Sequence, residues 1–105
     1  MTEADIIARV DRKERALKAA AAATEHVAAA KADLETLKHH HAAAGLEGSN
    51  DRQRAADLFA KTEPEREAVA AAERALRAAQ LELDLADLRV QEAFALARLS
   101  GDSLP

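Results

Sequence analysis

Three consecutive histidines, His39-His40-His41, form the densest group of potential metal ligands in this sequence. Consecutive side chains on a helix point about 100° apart, so these imidazoles would not converge on one ion. No histidine pair has the i,i+3 or i,i+4 spacing of a helical metal site, and no Glu-x-x-His motif of a di-iron bundle is present. We therefore predict no metal or other cofactor. We interpret the histidines as a solvated helix end, with a pH-sensitive contact as the alternative.

Carboxylates are numerous, but they form no pattern that predicts catalysis. They include Glu63, Glu65, Glu67, Asp84 and Asp87. General acid–base chemistry needs a pocket that shifts carboxyl pKa values, and a narrow helical seam rich in alanine provides no such pocket. The chain has no cysteine, and hence no thiol nucleophile or zinc–thiolate site, and no glycine-rich phosphate loop. We therefore predict that the protein is not an enzyme.

A basic cluster near the amino terminus is the one feature that suggests nucleic-acid binding. Its members are Arg9, Arg12, Lys13, Arg15 and Lys18. At helical spacing these side chains point all around the helix, Asp11 and Glu14 interrupt them, and no aromatic residue stands among them for base stacking. The net charge of −4 opposes binding to phosphates, which depends on clustered cations. We interpret the cluster as a solvated face and disfavour nucleic acid as a partner.

The elements that position these side chains are predicted to be entirely helical. Alanine, the strongest helix former, accounts for 29 of 105 residues, and the only aromatic residues are Phe59 and Phe94. Glycine and proline, which interrupt helices, are scarce. No run of 18 or more apolar residues is present. We therefore expect an all-α, cytoplasmic protein without a membrane span.

The breaks in the helical pattern predict a long helix, a turn, a short helix and a second long helix. The expected ranges are about 2–44, 45–49, 50–61 and 63–99, followed by a frayed tail at 100–105, all in one domain of residues 1–105. Gly45 suits a left-handed helix end, and Asn50 with Gln53 matches a capping box. Thr62 and Glu65 form a second such box, with Pro64 in the first helical turn. Whether this joint is a break or a kink is left open.

Apolar residues on the second long helix follow a heptad with alternating spacings of three and four. This inner seam consists of Val69, Ala72, Leu76, Ala79, Leu83, Ala86, Val90, Ala93 and Ala97. It is typical of a coiled coil, and its alanines allow close approach of a neighbouring helix. On the first helix the expected matching residues are Ile6, Val10, Leu17, Val27, Leu34 and Leu37. The pattern predicts an antiparallel helical hairpin, in which Asp87 either pairs with a basic residue across the hairpin or lies at its rim.

A second apolar stripe on the same helix lies about 140–180° from the inner seam. It passes through Glu92 and Ala95, and Leu96 lies beside it. We define the leucine face as the four leucines of the stripe together with this neighbour: Leu81, Leu85, Leu88, Leu96 and Leu99. A two-helix hairpin covers only one side of each helix, and exposed apolar patches of this size mark interfaces. We therefore predict an intermolecular contact, in the first place a homodimer that forms a four-helix bundle. The alternative is that the short helix or a bent first helix covers these leucines.

The segment after the turn carries a resemblance to a known group of proteins. Residues 48–56 read Gly-Ser-Asn-Asp-Arg-Gln-Arg-Ala-Ala and match G-x-N-x-x-x-R-x-A. With the proline after a short helix and the long helix that follows, this segment resembles small helical proteins encoded by bacteriophages and prophages. The resemblance implies an accessory phage protein in the host cytoplasm and carries no defined activity. Secreted helical hairpins of type VII systems fit less well, because they carry W-x-G at the bend and this chain has no tryptophan.

These patterns favour a phage-type module that binds a host or phage protein. One specific form is an inhibitor of a host nucleic-acid-handling or defence complex, in which acidic helices occupy a basic channel. The first alternative is a structural coiled-coil spacer or assembly factor. The second is a nucleic-acid-binding accessory protein of recombination.

Overall fold

A computed structural model describes residues 1–101 of the chain and contains three helices. They are α1 (Glu3–Ala44), α2 (Asp51–Lys61) and α3 (Glu63–Leu99), and no strand occurs in the described range. Helix α1 packs against α3 as an antiparallel hairpin, so the all-α hairpin predicted from composition and heptads is confirmed. Residues 102–105 of the predicted frayed tail lie outside the described residues.

The chain divides into two compact units, and each contains a part of both long helices. One combines Met1–Ala23 with the chain from Leu76 onward, and the other is Thr24–Ala75. The first unit therefore contains the amino-terminal part of α1 and the whole leucine face. The second contains the turn, all of α2 and the start of α3. The assignment of residues 1–105 to one domain stays a prediction.

Reciprocal hydrogen bonds between Thr2 and Asp5 define the start of α1. The Thr2 hydroxyl accepts from the Asp5 amide at 3.2 Å, and the Asp5 carboxylate accepts from the Thr2 amide at 2.9 Å. The backbone hydrogen bond from Thr2 is the main reason that the pKa of Asp5 is lowered, and the Thr2 hydroxyl contributes next. Such a box satisfies amide groups that have no partner within the helix.

The turn between α1 and α2 depends on two glycines with positive φ and on a cap at Asn50. Gly45 has φ +96° and Gly48 has φ +129°, in regions that L side chains rarely adopt. Asn50 Oδ1 accepts from the Gln53 amide at 2.9 Å, as the predicted box requires. The Gln53 side chain differs from the prediction, because its Oε1 accepts from the amide and hydroxyl of Ser49 (2.7 and 2.8 Å) instead of the Asn50 amide.

Thr62 alone separates α2 from α3, and its role differs from the predicted helix-start cap. The Thr62 hydroxyl donates to the carbonyl of Leu58 at 2.9 Å, so its side chain caps the end of α2. Backbone hydrogen bonds of the helical type still run from Thr62 to Leu58 and from Arg66 to Thr62. The joint is therefore a one-residue interruption next to Pro64, which has no amide hydrogen to donate. Thr62 is fully buried.

Candidate interaction surface

The residues of the inner seam on α3 all lie on its covered side. Ala72, Ala86, Val90, Ala93 and Ala97 are buried, whereas Val69, Leu76, Ala79 and Leu83 are half-buried. Ala93 and Ala97 are at most 1% exposed, so the most completely buried positions of the seam hold its smallest side chains. The seam therefore holds the hairpin together through close contact of alanines rather than through bulky side chains.

The covered side of α1 is also a continuous heptad, but its first half differs from the predicted one. Its residues are Ile6, Arg9, Lys13, Ala16, Ala20, Ala23, Val27, Ala30, Leu34, Leu37 and His41, all buried or half-buried. Val10 and Leu17, predicted to face α3, are instead 41% and 55% exposed. The long side chains of Arg9 and Lys13 occupy the covered positions, because their alkyl stems can lie against the hairpin while their charges reach polar partners on α3.

Those polar partners connect α1 to α3 within the first unit. Lys13 Nζ lies 2.7 Å from Asp87 Oδ1, which answers the open prediction for Asp87 in favour of a pair across the hairpin. The Arg9 guanidinium donates to the carbonyl oxygen of Arg89 at 2.8 Å and lies 3.8 Å from the Glu92 carboxylate. The hydrogen bond from Lys13 is the main reason that the pKa of Asp87 is lowered, and a hydrogen bond from Gln91 contributes less.

The leucine face lies on α3 with its side chains exposed to solvent. The exposed fractions of its members, Leu81, Leu85, Leu88, Leu96 and Leu99, range from 41% to 84%. Within the first unit, α1 does not cover these five leucines, which was one of the two intramolecular alternatives. Within residues 1–101, nine of the ten exposed large apolar residues lie in Met1–Ala23 or on α3 beyond Leu76, so exposed apolar area is concentrated in the first unit.

Charged side chains border the leucine face along its length. Arg12 of α1 joins Glu82 and Arg89 of α3 around a shallow depression beside Leu85. Asp84 and Arg98 follow the other flank of the same face, since both lie one position beyond inner-seam residues in the heptad. The leucines therefore form an apolar strip with a mixed-charge rim, which is the usual composition of a protein–protein contact.

A second exposed apolar group on α1 was not predicted as a surface. It consists of Ile7, Val10 and Leu17, which are between 41% and 55% exposed. At about 100° per residue, Val10 and Leu17 lie beside the covered positions on the flank of Phe94 and the Lys13–Asp87 pair. The leucine face, by contrast, lies on the side of α3 that faces away from α1, and it extends toward the flank of the hairpin opposite Phe94. In the sequence these residues are recognisable only because each of them follows a covered heptad position by one residue.

Asp57 is the most connected carboxylate of the second unit. It accepts from the Glu47 amide at 2.9 Å and lies 2.9 Å from Lys61 Nζ. The hydrogen bond from Lys61 is the main reason that the pKa of Asp57 is lowered, and the same contact raises the pKa of Lys61. The positive charge of His41, when protonated, contributes weakly to the shift at Asp57. These contacts fasten the turn to α2.

Phe59 and Arg66 make the other prominent contact of the second unit. The Arg66 guanidinium carbon lies 3.4 Å from the centroid of the Phe59 ring, in a cation–π arrangement. The same guanidinium donates to the Phe59 carbonyl oxygen at 2.7 Å. Phe59 remains 62% exposed, so the pair closes over the α2–α3 joint without burying the ring.

The histidine run lies at the carboxyl end of α1. His39 and His40 are exposed, His41 is half-buried, and the rings of His40 and His41 meet edge to face with centroids 5.8 Å apart. Within residues 1–101, no three histidine, aspartate or glutamate side chains are grouped so that they could hold a metal ion.

Across the part of the chain that the structure describes, no helix is long and apolar enough to span a membrane. Comparison of the chain with protein-family models, with curated proteins and with solved structures found no significant match.

Proposed function

We propose that this chain is a non-enzymatic protein-interaction module whose leucine face is buried against another protein chain. The observation that carries the proposal is the exposure of five leucines on the side of α3 that faces away from α1. Full burial of one leucine side chain stabilises by about 1.5–3 kcal/mol. Monomeric soluble proteins rarely expose a contiguous apolar strip of this kind, because it favours association.

The thin interior of the hairpin supports the same proposal. Among the residues that the structure describes, five of the seven buried apolar ones are alanines: Ala20, Ala72, Ala86, Ala93 and Ala97, with Val27 and Val90 as the others. An alanine methyl removes little area from water, and a small chain buries a small fraction of its surface. Association through the leucine face would add the apolar contacts that the hairpin lacks.

The acidic balance of the surface bears on the kind of partner. Arg9 and Lys13, two of the five basic residues near the amino terminus, are engaged with Glu92 and Asp87 within the hairpin. This engagement lowers the positive charge that the cluster presents and disfavours nucleic acid as the partner. An acidic helical surface suits competition for a basic channel, so we propose a phage-type inhibitor of a host nucleic-acid-handling or defence complex. A gel shift with DNA or RNA at low salt tests the nucleic-acid alternative.

A structural spacer or assembly factor is the second candidate, and the unbroken heptad of α3 favours it. The inner seam repeats over nine positions without a polar residue, as in elongated coiled-coil proteins. Both candidates use the leucine face as a contact and differ in what the partner does. An inhibitor lowers the activity of its partner increasingly as the inhibitor concentration rises, until the partner is saturated. A spacer changes only the assembly of its partners.

The experiment compares Leu85→Glu/Leu88→Glu with a control that adds the same charge elsewhere, Ala71→Glu/Gln80→Glu. All four positions are exposed on α3, so the substitutions introduce no charge into the hairpin interior. We expect both variants to remain as helical as the wild type by circular dichroism, and only the leucine-face variant to lose association by light scattering. Loss of helicity in the leucine-face variant alone would show that these leucines stabilise the hairpin itself and would overturn the proposal.

A further inference from the structure

Glu92 interrupts the leucine face and restricts what can cover it. It occupies the position of the stripe between Leu88 and Leu99, and its side chain is 60% exposed although the Arg9 guanidinium lies 3.8 Å away. Arg9 approaches only one side of this carboxylate, so a chain that buries the leucine face must bring a further compensating group to Glu92 or desolvate a charge that Arg9 alone compensates.

We propose that the occupant of the leucine face is a second copy of this chain, with its α3 antiparallel and the twofold axis near Val90. In this register Leu81 faces the partner's Leu99, and Leu85 faces the partner's Ala95. The inference rests on the proposed function, since it names the partner that covers the same surface. A twofold contact requires one surface to be complementary to itself.

The charges of α3 meet this requirement in the antiparallel register. Glu92 lies opposite Leu88 and beside the partner's Arg89, which supplies the compensating charge. Asp84 and Arg98, two heptads apart, share one flank of the leucine face, so a perpendicular twofold axis brings Asp84 next to the partner's Arg98. Each of these opposite-charge contacts occurs twice in a dimer.

A parallel pairing of the same two surfaces is less favourable. It would match each leucine with its own copy, but it would also place Glu92 against Glu92 of the partner subunit in the middle of an apolar strip. Like charges in a desolvated contact suppress such an arrangement. The position of Glu92 therefore selects the antiparallel pairing over the parallel one.

The absence of cysteine from the chain makes the register directly measurable. Leu81→Cys and Leu99→Cys chains of distinguishable mass are mixed, oxidised and separated without reductant. In the antiparallel register residues 81 and 99 meet, whereas two copies of residue 81 lie about 27 Å apart along the helix at 1.5 Å per residue. We expect the mixed disulfide to exceed either homodisulfide at least tenfold. A predominance of homodisulfides, or a yield no higher than that of an Arg74→Cys control, overturns the inference.

Charge reversal provides a second test that does not remove a leucine. Asp84→Arg and Arg98→Asp are each expected to lower the association constant at least about threefold, because each breaks two symmetry-related pairs. The chain carrying both substitutions should regain the wild-type constant to within about twofold. Arg74→Asp serves as the control, because Arg74 is exposed and lies one heptad before Leu81, beyond the end of the partner's α3 in this register. Failure of the combined substitution to restore association contradicts the register.

These outcomes separate the second-copy inference from the proposed function. If the wild-type chain stays monomeric at every concentration while Leu85→Glu/Leu88→Glu remains fully helical, the second-copy inference is overturned. The proposed function then still stands, with a different protein as the partner. Loss of helicity in that variant overturns both.

Discussion

Lys13 Nζ and Asp87 Oδ1 lie 2.7 Å apart and join α1 to α3 across the hairpin. Lys13 occupies a heptad position that an apolar residue would fill in a regular coiled coil. Its pair with Asp87, together with the Arg9 contacts to Arg89 and Glu92, sets which turn of α1 lies against which turn of α3. In this unit the charged contacts thus determine the register of the hairpin, whereas the alanines of the inner seam allow α1 and α3 to pack closely.

The Lys13–Asp87 pair predicts a specific pH dependence of stability. Because the folded pKa of Asp87 is lowered from 3.8, the pair contributes fully above that value and is lost as pH falls through the folded pKa. We expect Asp87→Asn to lower Tm by a constant amount from pH 7 to about pH 5. That difference should shrink below about pH 4 and vanish at lower pH. Thermal unfolding of both proteins across this range measures it, and a difference that persists at pH 2 would exclude the ion pair as its source.

Close packing of the inner seam predicts that an enlarged alanine destabilises the hairpin. Ala93 is 0% exposed, and Ala93→Leu should lower the free energy of unfolding by about 1–3 kcal/mol because the added carbons have no space. Ala71→Leu, at an exposed position of the same helix, is the control and should change it by less than about 0.5 kcal/mol. Urea unfolding measures both, and equal effects would contradict the close approach of α1 and α3.

The two glycines of the turn should differ in their tolerance of a methyl group. A Cβ at Gly48 would lie 2.5 Å from Gln53 Cβ and 3.0 Å from the Arg54 amide nitrogen, whereas one at Gly45 meets nothing within 4 Å. Both positions have positive φ, which costs alanine about 1–3 kcal/mol. Gly48→Ala should therefore be more destabilising than Gly45→Ala in denaturant unfolding. The reverse order would contradict the turn conformation.

The buried hydroxyl of Thr62 predicts a moderate loss on removal. Thr62→Val preserves shape but removes the hydrogen bond to the Leu58 carbonyl, which should cost about 1 kcal/mol. Thr36→Val on the exposed side of α1 is the matched control, with little expected change. An identical response of the two variants in urea unfolding would mean that the hydroxyl of Thr62 does not stabilise the α2–α3 joint.

The covered face of α3 and that of the second half of α1 could be predicted from the sequence, whereas that of the first half of α1 could not. On α3 every seam residue is apolar, so the heptad is visible in residue type alone. On α1 the covered positions near the amino terminus hold Arg9 and Lys13, and their burial depends on Asp87 and Glu92, some 75 residues or more along the chain. Val10 and Leu17 keep the same spacing one residue later, so their residue type and spacing predicted that they face α3, whereas they are exposed.

The joint at Thr62 shows a second limit of prediction from sequence. A threonine three residues before a glutamate has the chemistry of a helix-start cap, yet the same hydroxyl can donate to carbonyls at the end of the preceding helix. Pro64 has no amide hydrogen to donate to the preceding turn. In that turn the carbonyls of Leu58 and Phe59 also accept hydrogen bonds from the side chains of Thr62 and Arg66. Both uses of Thr62 fit the sequence, and the choice depends on the three-dimensional arrangement.

The mass of the protein in solution, measured by light scattering over a concentration series near neutral pH, tests association through the leucine face most directly. The wild-type chain should approach twice 11.2 kDa, about 22 kDa, as concentration rises. Leu85→Glu/Leu88→Glu should remain at 11.2 kDa with unchanged helicity, and Ala71→Glu/Gln80→Glu should behave as the wild type. A wild-type mass of 11.2 kDa at every concentration, or a leucine-face variant that still doubles its mass, would contradict this account.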